Sequence, residues 1–274
     1  MNLTLPIFPK FLLIVYFGCL TLVGQSQSTS ISSDSISKYS YTIFGQIGKT
    51  PQLDMGTCSF FEKNGDLFLI TAKHVLFSCD SLTNKQVPKF EIVTIFLPAD
   101  FQFLQFRIPI LNDSCIIDYK DPDLFVHEVD NSWIGKVNTI GRFVKPPIQN
   151  FGKLEIFGQG MKGDSSYLGF DKQHNIELKQ NLFKFYSSPP VPDSNFVDTV
   201  HHFVETKEIL VGSWMKGFSG SPVFLQDIES HSWRFCGVFV QGLYRISDEF
   251  PGGLILVSPN FVFAAIDKII LNKK

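Results

Sequence analysis

Gly217-Phe218-Ser219-Gly220-Ser221-Pro222 stands between two apolar runs, Glu208-Ile209-Leu210-Val211 upstream and Val223-Phe224-Leu225 downstream. The hexapeptide reads as a tight turn joining two strands. Glycines on either side of Ser219 let the backbone fold sharply, present the hydroxyl and aim neighbouring N–H groups into one spot. Pro222 sets the exit and biases Ser221 towards an extended conformation. A serine hydroxyl is a weak nucleophile without a base in hydrogen-bond reach, so the turn has chemical meaning only if a suitable histidine exists elsewhere. Ile70-Thr71-Ala72-Lys73-His74 ends one apolar strand, and Asp123-Leu124-Phe125-Val126 opens another.

Gly-x-Ser-Gly-Ser-Pro at 217–222, Thr-Ala-Lys-His at 71–74 and Asp-Leu-Phe-Val at 123–126 resemble the three signature stretches of chymotrypsin-like (trypsin-like) serine proteases, and are closer to bacterial trypsin-like peptidases than to digestive trypsins. The order His, Asp, Ser is also that family's order, and the likeness spans roughly residues 40–270. It implies an all-β fold of two six-stranded antiparallel β-barrels with a C-terminal α-helix. It also implies a catalytic set. Ser219 is the nucleophile, with Ser221 a tolerated variant where the family often has glycine. His74 takes the proton from Ser219 and returns it to the leaving amine, since imidazole titrates near neutrality. Asp123 accepts from the imidazole and fixes its tautomer; Asp118 and Asp121 are its competitors in sequence, and Asp123 is preferred because it immediately precedes the alternating run Leu124 to Val129. Gly217 and Ser219 are positioned by the resemblance to supply the backbone donors of an oxyanion hole. Lys216 reads as an exposed lysine.

The same resemblance places Ser213, six residues before Ser219, at the floor of a primary specificity pocket, with Gly242 and Gly252 as its walls. A neutral floor between glycines admits a large apolar side chain and offers no carboxylate to Arg or Lys. Val240, Gln241 and Gly242 would bind an extended substrate through their backbone. Cys58 and Cys79 bracket the His74 strand much as the family's histidine-loop disulfide does, so that pair is the expected bridge. A Cys115–Cys236 bridge would cross between halves and is not expected. Two departures stand out: there is no Ile-Val-Gly-Gly-like new N-terminus to insert on activation, and no peptide-binding domain follows the terminal helix. A stand-alone protease domain is the expectation.

With 274 residues the chain is long enough for two modest cores or one large one. A net charge of −2 carries no footprint of nucleic-acid binding. Phenylalanine, at 29 residues, reads as core filling in a strand-rich protein. No Cys-x-x-Cys pair or His/Cys cluster suggests zinc, and no cofactor is expected. Lys10 followed by Phe11 to Leu20, fading by Gly24, has the shape of a secretory signal with cleavage near residues 26/27. The run is short for a membrane span of about 20 residues, which leaves an uncleaved anchor as the second reading and lipidation at Cys19 as the third. Export, a polypeptide substrate, no membrane contact after cleavage and a monomeric state are the corresponding expectations.

Residues 27–39 are Ser-rich and aperiodic, a flexible leader. Short alternating runs begin at Tyr41, and Asn64-Gly65 between apolar runs is the strongest hairpin signal in the chain. Strands are expected near 41–47, 56–61, 67–71, 89–97, 103–109 and 123–129. Pro146-Pro147 marks the connection between an N-terminal barrel over 40–145 and a C-terminal barrel over 146–274. Strands follow near 153–160, 175–186, 203–212, 222–226, 233–241 and 253–257. Ser258 as N-cap with Pro259 at the first position opens a terminal helix. His127, His174, His201, His202 and His231 lack the context of a base and read as surface or core residues.

Two other readings compete with an exported endopeptidase. One is a catalytically silent protein of the same fold that binds a partner. The other is an α/β-hydrolase esterase, which is rejected because those enzymes use Gly-x-Ser-x-Gly in the order Ser, Asp, His and need amphipathic helices between strands.

Overall fold

The computed structural model describes residues 36–46, 53–97, 102–111, 122–143, 151–158, 174–179, 183–186, 200–206, 217–229, 231–243 and 252–273. All belong to the unit Ile36–Lys274. The signal segment, Lys216, Ser213, Cys115, Asp118, Asp121 and Pro146-Pro147 lie outside them.

Two antiparallel sheets carry the fold. The first runs β7 (Gln102–Arg107), β6 (Ile92–Leu97), β1 (Tyr41–Gln46), β2 (Leu53–Lys63), β3 (Asp66–Thr71), β8 (Phe125–Val129). The second runs β10 (His174–Lys179), β9 (Phe151–Gly158), β13 (Pro222–Asp227), β14 (Trp233–Leu243), β15 (Gly253–Val257), β12 (His201–Thr206), β11 (Phe183–Tyr186). With the terminal helix this is the chymotrypsin-like double-barrel arrangement; the second sheet has seven strands where the resemblance implies six. Strand 175–186 divides into β10 and β11. A two-stranded hairpin, β4 (Phe77–Asp80) with β5 (Lys85–Pro88), was not legible as strands.

Local chemistry explains the seams. Asn64 and Gly65 sit at φ +56° and +82°, the left-handed pair that a two-residue turn needs to match strand twist, and they fix the pairing of Lys63 with Asp66. In β2, Gly56 to Phe60 are all buried, and so are Leu67 to Thr71 in β3, which places this hairpin between the sheets instead of at the surface. The period-two geometry of β15 serves two cores at once. Leu254 and Leu256 join Phe218, Val223 and Leu225 inside the second sheet. Ile255 and Val257 join the core that also contains Cys58, Phe60 and Leu69 of the first sheet.

The phenylalanines form much of that shared core. Tyr39 meets Phe143 at 4.8 Å, Phe143 meets Phe224 at 4.9 Å, Phe224 meets Phe235 at 6.2 Å, and Phe235 reaches Phe263 of the terminal helix at 6.1 Å. Ile36 and Tyr39 are almost fully buried in a short 3-10 turn, Ile36–Tyr39. The core therefore takes in Ile36 and Tyr39 from the end of the stretch expected as a flexible leader. Its polar, aperiodic neighbours conceal two anchors.

Helix α1 (Lys73–Leu76) is a single turn, and α2 (Pro259–Leu271) is the terminal helix. Pro259 occupies the first position of α2, and Ser258 the N-cap, where its carbonyl accepts from the Phe261 and Val262 N–H groups. The Ser258 hydroxyl makes no capping bond. Val262 and Ile266, one turn apart, bury the inner face. Lys63 pairs with Asp267, and Lys273 reaches Asp66 at 2.9 Å and Glu128 at 2.6 Å. Among the described residues no helix is long and apolar enough to cross a membrane.

Candidate active site

His74 owes its place to a change of conformation at the end of β3. Ala72 is extended, with φ −74° and ψ 139°, and the chain then makes the one turn of α1. Val75 and Leu76 are buried and anchor that turn, leaving His74 on the open side with its side chain 47% exposed. Asp123 lies two residues before β8, whose Phe125 pairs with Thr71 of β3. That pairing brings the carboxylate to the histidine. Asp123 Oδ1 accepts from the His74 backbone N–H at 2.8 Å, and Oδ2 is paired with His74 Nδ1. The Asp123 carbonyl accepts from Lys73 N–H at 3.3 Å. An ionised carboxylate only accepts, so this pairing puts the ring proton on Nδ1 and leaves the Nε2 lone pair available.

The turn that carries Ser219 is pinned on one side. Gly217 O accepts from Thr57 Oγ1 at 2.6 Å, and Ser219 O accepts from Thr57 N–H at 3.0 Å. Phe218 O accepts from Ser221 N–H at 2.8 Å, and Gly220 N–H donates to Phe239 O at 2.8 Å. Phe218 is fully buried in the second sheet's core. Gly217 and Gly220 have φ of +89° and +87°. No hydrogen bond among the described residues takes up the Gly217 or Ser219 N–H. Backbone N–H groups left unclaimed in a turn attract anions.

Gly220 brings the two halves into contact. A Cβ built there would overlap Thr57 O and Thr71 Oγ1 and lie 2.9 Å from Ala72 N. Position 220 therefore packs directly on the segment that ends in His74, and Ser219, half-buried, is its neighbour in the chain. Ser221 is fully buried and its hydroxyl has no hydrogen-bond partner, so it has no route to a substrate.

Thr57 and His201 had no signal as site residues in the sequence. His201 is buried at the start of β12, close enough for the Asp123 carboxylate to act on it. Burial pulls its pKa below the ordinary imidazole value, with Asp123 opposing and His202 assisting.

Val240, Gln241 and Gly242 lie on β14, Val240 buried and Gln241 exposed. The ladder of β14 with β13 ends at Val238, opposite Pro222, while its ladder with β15 continues to Leu243, interrupted by a bulge between Phe239 and Gln241. One edge of Val240–Gly242 thus extends beyond its β13 neighbour. Gly252 is buried immediately before β15, and its carbonyl accepts from Thr206 N–H at 3.1 Å.

The expected Cys58–Cys79 bridge is not formed. Cys58 is a free thiol inside the shared core, where burial pushes its pKa well up. Cys79 is disulfide-bonded and exposed on β4, with its partner outside the described residues. The two thiols sit in different surroundings: Cys58 is sealed with Phe60 in the core, whereas Cys79 stands exposed on β4. Cys236 is also free and buried, its thiol likewise pushed far up by burial. Among the described residues no cluster of His, Cys, Asp or Glu could hold a metal ion.

No protein-family model matches the chain, and no curated protein sequence does. Solved structures do. A serine endoprotease from Yersinia pestis is similar over 87% of this chain at 13% identity with a TM-score of 0.49, and the chain spans 65% of its length. A thermostable serine protease, AL20, from an extremophilic microorganism is similar over 81% of this chain and 91% of its own, at 12% identity and a TM-score of 0.49. The Rv3671c protease from M. tuberculosis in its active form is similar over 85% of this chain and 81% of its own, at 15% identity and a TM-score of 0.47.

Proposed function

We propose that this chain is a serine endopeptidase that cleaves peptide bonds through an acyl-enzyme. The observation that supports it most is the His74–Asp123 pair together with the packing of Gly220, next to Ser219 in the chain, on Thr71 and Ala72, which lead to His74. Ser219 Oγ attacks the scissile carbonyl while His74 Nε2 takes its proton, and Asp123 holds the imidazolium that forms. The carbonyl oxygen becomes an oxyanion between the N–H groups of Gly217 and Ser219. Collapse breaks the C–N bond, His74 gives its proton to the leaving amine, and water repeats the sequence on the ester. An extended substrate adds as a strand along Val240 to Gly242. The neutral Ser213 floor with Gly242 and Gly252 favours a large apolar residue before the cut. The apolar run at residues 11–20 directs the protein to export.

The test is an alkyl fluorophosphonate probe on the full-length protein and on Ser219→Ala, read by mass spectrometry of the labelled peptide, followed by cleavage profiling on a peptide library. Labelling of Ser219, lost in the alanine variant, with cuts after Phe, Tyr or Leu is the expected result. No labelling makes the chain a silent binding protein of this fold. Cuts confined to Arg and Lys overturn the pocket assignment.

A further inference from the structure

Gly217 contributes an unobstructed backbone donor because it has no side chain, and for the same reason nothing intrinsic holds its peptide in one orientation. Its φ of +89° is one of several a glycine adopts freely. The Gly217 carbonyl is held from outside the turn, and the contact that holds it comes from the first sheet.

Thr57 is almost fully buried on β2. Pairing of β2 with β3 stops at Ser59 opposite Ile70, so beyond that point β2 has backbone groups to give elsewhere. They go to the turn and to the strand leading to the histidine. Thr57 N–H donates to Ser219 O at 3.0 Å, and Thr57 O accepts from Thr71 Oγ1 at 2.7 Å. The side chain adds the third contact, Oγ1 to Gly217 O at 2.6 Å. One residue therefore grips the carbonyls on both sides of Phe218 and is itself tied to the strand that ends three residues before His74. A planar trans peptide ties each carbonyl to the N–H of the next residue, so the two grips fix the 217–218 and 219–220 peptides, and the peptide that carries the Ser219 N–H is confined between them.

We infer that Thr57 is a positioning residue for the oxyanion turn, its hydroxyl and its N–H fixing the peptides on either side of the one that carries the Ser219 N–H and so aiming that donor at a substrate carbonyl. The inference rests on the endopeptidase reading for its catalytic consequence, though not for the clamp itself. It makes the aim of donors in the second sheet depend on a hydroxyl in the first. Thr57→Val keeps the shape and removes the hydroxyl; Thr57→Ser restores the hydroxyl without the methyl.

The experiment compares these two variants with the unmodified chain in three measurements: fluorophosphonate labelling rate, kcat and KM on a peptide substrate, and amide hydrogen exchange at Gly220 and Ser221, with circular dichroism to confirm folding. Removing a whole oxyanion donor costs about 10²–10³-fold in kcat. A donor left in place but unaimed loses less, so Thr57→Val is expected to lose roughly tenfold in kcat and labelling rate with KM held within about twofold. Thr57→Ser stays close to the unmodified chain, and exchange at Ser221 quickens in Thr57→Val alone. Labelling of Thr57→Val at the unmodified rate, or equal losses in both variants, overturns the inference. Should the unmodified chain not react with the probe, the endopeptidase reading fails and exchange alone decides: faster exchange in Thr57→Val upholds the clamp, and unchanged exchange removes it.

Discussion

Gly220→Ala adds one methyl group where the Ser219 turn meets the first sheet. Two costs follow. Alanine in the left-handed region at φ +87° costs about 1–2 kcal/mol. Its Cβ would overlap Thr57 O and Thr71 Oγ1 and press on Ala72 N at 2.9 Å. Two of those three atoms are backbone, so no rotamer change relieves the contact and the turn has to retreat. Retreat breaks the bonds from Thr57 N–H to Ser219 O and from Thr57 Oγ1 to Gly217 O, at about 1 kcal/mol each. The sum is about 3–4 kcal/mol, in the upper tail for a single substitution. Gly65→Ala is the control, because Gly65 has φ +82° with nothing within 4 Å of an added Cβ and so incurs only the first cost, about 1–2 kcal/mol. Urea unfolding of both variants measures the difference. Equal losses would refute the packing of the turn on the first sheet.

Asp123→Asn offers an amide in place of one of the two carboxylate oxygens that face His74, so the ring proton is no longer held on Nδ1; kcat is expected to fall about 10⁴-fold with the fold intact, checked by steady-state kinetics alongside a thermal melt, and a loss under tenfold would remove Asp123 from the site. Stability should also fall on mild acidification. Burial is the leading cause that holds His127, His201 and His202 below the ordinary imidazole pKa. The unfolded chain therefore takes up protons first, from about pH 6.5 downward, and stability present above that pH is lost as it falls through the lowered native values. Asp66, Asp80 and Asp130, also lowered, act only below about pH 4, so the two windows are separable. His127→Phe, in the stack between Phe106 and Phe125, should flatten the upper one in chemical-denaturation titrations; an unchanged slope counts against its lowered pKa.

What the sequence disclosed was local. Asn64-Gly65 announced its hairpin because the left-handed pair is chemically demanding, and Pro259 announced its helix for a similar reason. The β4–β5 hairpin stayed hidden: its turn is organised by Asp80 accepting from Leu82 N–H and Thr83 Oγ1, and its exposed strands carry no apolar period. The neighbourhood of His74 and Asp123 was readable only through a resemblance, since no periodicity links positions 49 residues apart. Thr57 was illegible, because its part is defined by a contact 160 residues away. Burial also decided Cys58, where nearness in sequence to the histidine loop was outweighed by the thiol's place inside the core while Cys79 is exposed.

The terminal helix has a consequence for biosynthesis. Lys63 and Asp267 are 204 positions apart and Asp66 and Lys273 are 207, and Phe263 covers Phe61 at 5.0 Å. A ribosome that has extruded only the first sheet has yet to make the residues that seal it. Contacts of such long range slow folding, so the nascent first half must wait, partly uncovered, for the last few turns of the chain.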